Sequence, residues 1–229
     1  MVVDHNEIYR NQAGQYERLV SREDYQGNIW KTLQEICDWH DKIVFDLGAG
    51  TGRLTELVLP KAAFVCGFDR SPGMLKVAGE KLVNGRYHNW GLAAADHRDI
   101  PVSVNTADRI ISGWSLAYLA LHQGPAWRKP AEAAFERLFK ILRPGGKIVI
   151  LETMGTGFTE PNPPDRLLPY FSFLKTLGFQ STWIRTDYQF ALLDEAVELT
   201  RFFFGAELAA EVEQNNSTIL PECTGVWWK

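Results

Sequence analysis

Hydrophobic positions along the chain follow two rhythms. Short, nearly continuous apolar runs occur at KIVFDLG (residues 42–48), AAFVCGFD (62–69), ADRIIS (107–112) and KIVILE (147–152), with a weaker run at 87–92. Such runs predict strands buried on both faces of a parallel sheet. Between them lie stretches with helical spacing. In residues 21–40, Ser21 and Asp24 are spaced as a capping box, and Ile29, Leu33, Ile36 and Cys37 follow on one face. Residues 51–59 predict a helix that stops at Pro60, and Ser71 caps another with Pro72 at its first position. A long helix over 130–142 is expected to end at the RPGG stretch, where Pro144 and two glycines stop it.

Strands alternating with helices in this way predict an α/β fold, a doubly wound sheet with helices on both faces. After Glu152 the rhythm changes. A Gly/Pro-rich loop (153–165), a helix (166–179), a strand (180–190), one further helix (193–213) and a closing strand (217–228) are expected. The chain has no internal repeat, low-complexity segment or linker long enough to split it, so a single domain over 1–229 is expected.

Composition narrows the class. The chain has 229 residues, of which 45% are hydrophobic and 23% charged, with a formal net charge of −4. That describes an ordinary globule without the Lys/Arg blocks that track phosphates, which argues against nucleic-acid substrates. Cys37, Cys66 and Cys223 are odd in number and far apart, and read as buried thiols in a reducing compartment. The N-terminus lacks the pattern of a signal peptide and no stretch approaches 18 apolar residues, so a cytoplasmic location is expected. There is no spaced metal-ligand set.

Candidate chemistry starts at DLGAGTG (46–52). A strand ending in Asp46, then Gly48, Gly50 and Gly52, then a helix, builds a turn in which bare backbone can approach a nucleotide-like ligand. The dinucleotide fingerprint needs glycine where this chain has Arg53, and a P-loop needs a Gly-Lys-Ser/Thr that is absent. Asp69 ends the next strand, 21 residues after Gly48, where a doubly wound sheet puts a carboxylate beside the first turn, able to accept both hydroxyls of a ribose.

Together with GFDRSPGML (67–75), AADHRDIPV (94–102), ADRIISGWSLAYL (107–119) and LRPGGKIVILE (142–152), this turn resembles the class I S-adenosylmethionine-dependent methyltransferases. The likeness is greatest to the ubiquinone/menaquinone-type small-molecule group with the methyltransferase 11 domain. The resemblance covers about residues 40–152. It implies a seven-stranded Rossmann-like sheet, an N-terminal helical cap (1–41), a cofactor-binding core (42–152) and a substrate-side part (153–229) with a helical lid between the last two strands.

It also implies S-adenosyl-L-methionine as cofactor and S-adenosyl-L-homocysteine as product. Carried over by motif position, Gly48, Ala49, Gly50 and Gly52 form the turn against the methionine and ribose parts. Asp46 orders that turn and approaches the amino group. Asp69 takes the ribose hydroxyls, with Arg70 and Met74 beside the adenine. Asp96 takes the adenine amino group, flanked by Ala95 and His97. Ser112 and Trp114, just past strand four, lie near the transferring methyl, and Tyr16 belongs to the cap over the cofactor.

A sulfonium methyl is already electrophilic, so an amine acceptor needs chiefly alignment and exclusion of water. A hydroxyl or thiol gains from a general base. His122 and Glu152 are the candidates carried forward, ahead of His97, a neighbour of the cofactor loop, and Asp187. The competing roles are capping or solvation for His122 and loop anchoring for Glu152. Aromatic and polar residues outside the motifs supply the expected substrate contacts: Tyr9, Tyr25, Tyr118, Trp183, Arg185, Asp187 and Tyr188. Period two puts Trp183, Arg185 and Asp187 on one strand face, with a surface ion pair as the plain alternative. Phe202 to Phe204 read as core. The NPPD stretch (162–165) is like the motif of nucleic-acid amino-methyltransferases but falls far from strand four and reads as a loop.

The resulting expectation is methyl transfer to nitrogen or oxygen, with carbon also open, of a small aromatic or heterocyclic molecule. Its rivals are an RNA or protein methyltransferase and a non-catalytic S-adenosylmethionine-binding protein. The expected partner is a small-molecule substrate, with neither nucleic acid nor membrane, in a monomer or homodimer.

Overall fold

The computed structural model describes residues 3–121 and 124–229. Helices α1 (His5–Asn11), α2 (Ala13–Val20) and α3 (Asn28–Ile36) precede the sheet. Then come β1 (Ile43–Leu47), α4 (Arg53–Val58), β2 (Phe64–Asp69), α5 (Pro72–Asn84), β3 (Trp90–Ala94), β4 (Ala107–Gly113), α6 (Tyr118–Leu121), α7 (Arg128–Ile141) and β5 (Leu142–Thr156). The C-terminal part holds α8 (Leu168–Thr176), β6 (Gln180–Arg185), β7 (Tyr188–Gln189), α9 (Leu193–Phe203), α10 (Ala206–Gln214), β8 (Ile219–Leu220) and β9 (Glu222–Trp228).

Seven strands form one sheet in the order β3-β2-β1-β4-β5-β9-β6. All neighbours run parallel except β9, which is antiparallel to both β5 and β6. The sheet is therefore the doubly wound one that the apolar runs predict. Its centre is apolar because both faces are covered. Phe45, Ile110 and Ile148 pack with Phe135, Leu138 and Phe173 on one face, and Val44, Ile111 and Val149 pack with Leu33 and Leu54 on the other. The chain leaves β1 toward β2 and β3 on one side and returns at β4 on the other. The carboxyl ends of β1 and β4 thus border the crevice at the switch of strand order, where such folds bind ligands.

Four boundaries differ from the sequence pattern, each for a local reason. The helix expected from Ser21 begins only at Asn28. Asp24 adopts φ +61° and its carboxylate accepts from the N–H groups of Asn28 (2.8 Å) and Ile29 (3.0 Å), so it caps the helix from four residues back. Leu142 follows α7 directly into β5, and the RPGG stretch lies inside that strand. The late helix breaks into α9 and α10 at Gly205, whose φ of +102° does not suit other residues. The strand expected over 180–190 is interrupted after Arg185. Thr186 donates its N–H to Glu222, and Tyr188–Gln189 then leaves the main sheet to pair with β8. A third small core of Leu19, Tyr188, Phe190, Leu199 and Val212 joins this small sheet to α9, α10 and the N-terminal helices.

Candidate active site

The floor of the crevice is the turn after β1. Gly48 and Ala49 donate their N–H groups to the Phe68 carbonyl (2.8 and 2.9 Å), which hooks the turn onto β2. Gly48 has φ +73°, and a Cβ there would meet Ser115 Oγ at 1.9 Å, so only glycine fits. Asp69 accepts the Gly50 N–H (2.9 Å) on one oxygen and the Ser71 N–H (2.7 Å) on the other. Burial raises its pKa against the pull of these N–H groups. Each carboxylate oxygen has two lone pairs, so acceptor capacity for a diol remains. Asp46 is buried. One of its oxygens accepts from Thr55 Oγ1 (2.7 Å), and the other, Oδ1, has no partner among the described residues. Burial pushes its carboxyl up to about 6.

Beside this floor lies the loop after β3. Asp96 forms a two-pronged pair with Arg98 (2.7 Å each) and meets Arg70 Nε at 3.3 Å, and those hydrogen bonds hold its carboxyl down at about 2. His97 reaches Ser115 Oγ at 2.7 Å. Burial lowers its pKa to about 4, so the ring is neutral at pH 7. Met74 is buried in the first turn of α5, and Ala95 donates its N–H to the Asp69 carbonyl (3.0 Å).

The N-terminal helices form the roof. Ser71 Oγ donates to the Tyr9 carbonyl (2.6 Å), and Lys81 bridges Glu17 (3.0 Å) and Glu56 (3.4 Å). Arg53 Nη1 is paired with Glu23, whose carboxylate also accepts from Tyr188 Oη (2.9 Å) and Thr186 Oγ1 (3.2 Å). The Arg53 guanidinium lies 3.8 Å from the centroid of Trp114, the first residue after β4, which has φ +51°. Tyr16 and Val20 close a cavity of about 30 Å³ over Asp46, Gly48, Thr51 and Arg53. That holds a water or two, where ligand pockets run to roughly 300 Å³ or more. A larger open groove of about 840 Å³, lined by Arg98, Val102, Arg137 and Lys140, shares no residue with the glycine turn.

Aromatic rings gather at the roof. Tyr9 stands edge-on to Tyr16 (5.5 Å between centroids) and Tyr118 (6.4 Å), and Phe203 of α9 packs on Tyr16 (5.4 Å). The hydroxyls of Tyr9 and Tyr118 are 3.1 Å apart. Glu152 lies nearby at the ligand end of β5. It accepts the Ala117 N–H (2.9 Å), and burial pushes its carboxyl up to about 8. Glu152 thus anchors the loop after β4 and carries its proton at neutral pH.

Several expected positions fall elsewhere. Ser112 lies inside β4, not past it. It is fully buried and donates its hydroxyl to the Leu47 carbonyl (2.7 Å), because the strand extends to Gly113. Asp187 does not share the strand face of Trp183 and Arg185. Trp183 is exposed on β6, while Asp187 turns inward after the strand ends. Asp187 there takes both prongs of Arg185 (2.8 and 2.7 Å) and the Glu222 N–H (2.9 Å). Tyr188 is buried in the third core, and Tyr25 is exposed beside Gln26. His122 lies outside the described residues. Conversely, Thr51, Glu23, Ser115 and Arg53 stand at the floor or roof without having been singled out for it. The one available signal was Arg53, a cation opening a helix, where the backbone dipole disfavours it.

The residues fit an adenosyl sulfonium: a turn only glycine can make, a ribose-ready Asp69, and an unpartnered buried acceptor on Asp46. The comparisons with known proteins agree. A methyltransferase domain family model matches residues 45–150. The ubiquinone/menaquinone biosynthesis C-methyltransferase of Pasteurella multocida is 27% identical over 176 residues, 72% of this chain and 60% of that protein. A phosphoethanolamine N-methyltransferase of Triticum aestivum is 32% identical over 123 residues, 53% of this chain and 23% of that protein. The chain thus spans less than two thirds of either relative. The crystal structure of an S-adenosylmethionine-dependent methyltransferase from Aquifex aeolicus superposes with a TM-score of 0.54 at 18% identity, over 86% of each chain, and shares the fold. Residues 45–150 thus match the methyltransferase domain, and the chain is similar to S-adenosylmethionine-dependent methyltransferases, ubiquinone/menaquinone-type ones among them. Among the described residues no helix is long and apolar enough to cross a membrane.

Proposed function

We propose that the protein methylates a nitrogen or oxygen, with carbon as the further acceptor, of a small aromatic or heterocyclic molecule. The observation that carries this reading is the ring cluster of Tyr9, Tyr16, Tyr118 and Phe203 beside the glycine turn, since flat apolar walls with a few hydroxyls suit a planar acceptor. When bound, the cofactor supplies an electrophilic methyl on a sulfonium, so no covalent intermediate with the protein is needed.

The chain's own residues then align and enclose. The Gly48–Gly52 turn and Asp69 hold the adenosyl part on the floor, and the N-terminal helices keep water out from above. Because Tyr16 and Val20 close the cavity to about 30 Å³, the cap has to move for ligand to enter. Glu152, its carboxyl raised to about 8 by burial, stays protonated at neutral pH and holds the loop after β4 rather than serving as a base. A neutral amine, which needs no base, suits that state.

The test is transfer of a radiolabelled methyl from S-adenosylmethionine to a panel of small aromatic amines, phenols and heterocycles, with bulk RNA and protein as parallel arms. Label in a small molecule supports the reading. Label confined to RNA or protein replaces it with a macromolecular acceptor, and cofactor binding without label anywhere points to a non-catalytic binding protein.

A further inference from the structure

The open groove of about 840 Å³ lies between the loop that joins β3 to β4 and one face of α7. Both of its walls are built to keep it open. Arg137 of α7 donates from Nη2 to the carbonyl of the fully buried Ile100 (2.7 Å), which pins the middle of the loop. At the end of the loop, the Asn105 and Thr106 N–H groups donate to the Lys140 and Ile141 carbonyls (2.9 and 2.8 Å). Val102 to Val104 therefore stand off from the helix between two anchors. On the helix side, Pro130, Ala133 and Ala134 share a face with Arg137, Lys140 and Ile141, and their small side chains leave the space unfilled. The volume is that of a small-molecule pocket.

The lining combines an apolar floor with an excess of positive charge. Ala134 and Ile141 are buried and Val102 is half-buried, whereas Val104 is 59% exposed. Three cations, Arg98, Arg137 and Lys140, accompany one carboxylate, Glu136, in a chain whose net charge is −4. Arg98 engages Asp96 through Nε and Nη2 (2.7 Å each), and Arg137 Nη2 meets Asp99 at 3.2 Å. The Arg137–Asp99 pair is 42% and 83% exposed, and pairs so exposed contribute little, so it gives way to a competing anion. Lys140 has no ion-pair partner among the described residues. Arg137 Nε is buried and likewise has no hydrogen-bond partner among them. A guanidinium nitrogen only donates, so a ligand that satisfies it brings an acceptor.

We propose that this groove is a second binding site, for a small organic anion: a phosphate or carboxylate that carries an apolar group. Arg137 and Lys140 receive the anionic head, Arg98 adds to the field, and Val102, Ala134 and Ile141 receive the apolar part. The site stands apart from the methyltransferase reading, because none of its residues belongs to the glycine turn or to the ring cluster of the roof.

The test is calorimetric titration of the full chain with hexyl phosphate, hexanoate, inorganic phosphate and 1-hexanol. Hexyl phosphate or hexanoate should bind with a Kd on the order of 0.1–1 mM, and inorganic phosphate and 1-hexanol should each be at least about tenfold weaker. Lys140→Gln removes one charge at an exposed position and should weaken the organic anion about threefold to tenfold. Ala133→Trp, also at an exposed position, fills the groove without altering its charge and should abolish binding at millimolar concentrations. Thermal melts followed by circular dichroism report that each variant is folded.

Failure of the unaltered protein to bind either organic anion overturns the inference, as does binding that both substitutions leave intact. Inorganic phosphate binding as tightly as hexyl phosphate overturns it too, since that marks a simple ion site. Vesicles containing phosphatidic acid form a parallel arm. Recruitment to them without binding of the free anions replaces the soluble ligand with a membrane surface and overturns the inference. S-Adenosylhomocysteine, titrated alongside, tests the methyltransferase reading separately.

Discussion

The glycine turn and the roof above it differ in how far along the chain their parts come from. The floor is built almost entirely from residues 46–53, joined by Asp69 at the end of the neighbouring strand. The roof draws Tyr9 and Tyr16 from the N-terminal helices, Tyr118 from the segment after β4 and Phe203 from α9. They also differ in how their polar groups are satisfied. The floor keeps buried atoms unpartnered, whereas the roof's Tyr9 hydroxyl meets that of Tyr118 and Glu23 is fully engaged. A short strand–turn–helix held by backbone hydrogen bonds can maintain unsatisfied groups in place. The roof, built of separate segments, closes mainly by pairing its groups with one another, with Glu17 Oε2 an exception among the described residues. The floor is held by its own backbone hydrogen bonds, and the roof, joined from distant segments, is the part expected to open for ligand.

The largest effect should come from breaking the floor at its tightest point. Gly48→Ala brings a Cβ against Ser115 and forces φ +73° on an alanine, and is expected to cost about 100-fold or more in S-adenosylhomocysteine affinity, together with about 2–3 kcal/mol of stability. Calorimetry and urea midpoints measure the two losses. A variant that binds normally would mean the turn is not the floor.

Asp187→Asn tests the support of the roof. It removes the charge facing Arg185 and is expected to cost about 1–3 kcal/mol by denaturant unfolding, with 5′-methylthioadenosine affinity unchanged. If turnover falls with stability intact, the pair faces substrate after all.

A smaller, pH-dependent effect belongs to the carboxyls at the junction of the two regions. Glu152, raised from 4.5 to about 8, keeps its proton in the fold where the unfolded chain has lost it. Its contribution is complete below about pH 4.5 and disappears as pH rises through about 8. Glu222 acts in the same direction, also at about 8, and Asp46 at about 6. The melting midpoint should therefore fall between pH 5 and 8 by a few degrees, on the order of 5 °C, and Glu152→Gln should flatten that slope. A midpoint independent of pH in both proteins contradicts the burial of these groups. The smallest effect is expected for the exposed Trp183. Trp183→Ser should shift stability by less than about 0.5 kcal/mol and leave ligand affinity unchanged, and a measurable loss of turnover would return it to the acceptor site.

What was legible in the sequence follows the same division between floor and roof. The floor was readable because Asp46, the three glycines and Asp69 are each fixed by position in a strand or a turn, and a strand end in a doubly wound sheet has one place to be. The late segment was misread where two signals competed. WIRTDY alternates like a strand, but Thr186 pairs with Glu222 and Asp187 turns inward, so period two stops at Arg185. Ser112 was placed one step too far along because the strand runs on to Gly113.

The order of apolar runs and glycines, by itself, determined a doubly wound sheet with a turn open to a nucleotide-like ligand. Those features arise from short-range geometry and from burial on both sheet faces. Tertiary structure alone decided which free atoms share a cavity with Asp46, because Arg53, Glu23 and Trp114 meet only when the cap folds back over the sheet. Their contacts link residues 30 to 61 positions apart, and no local pattern records a distance of that kind.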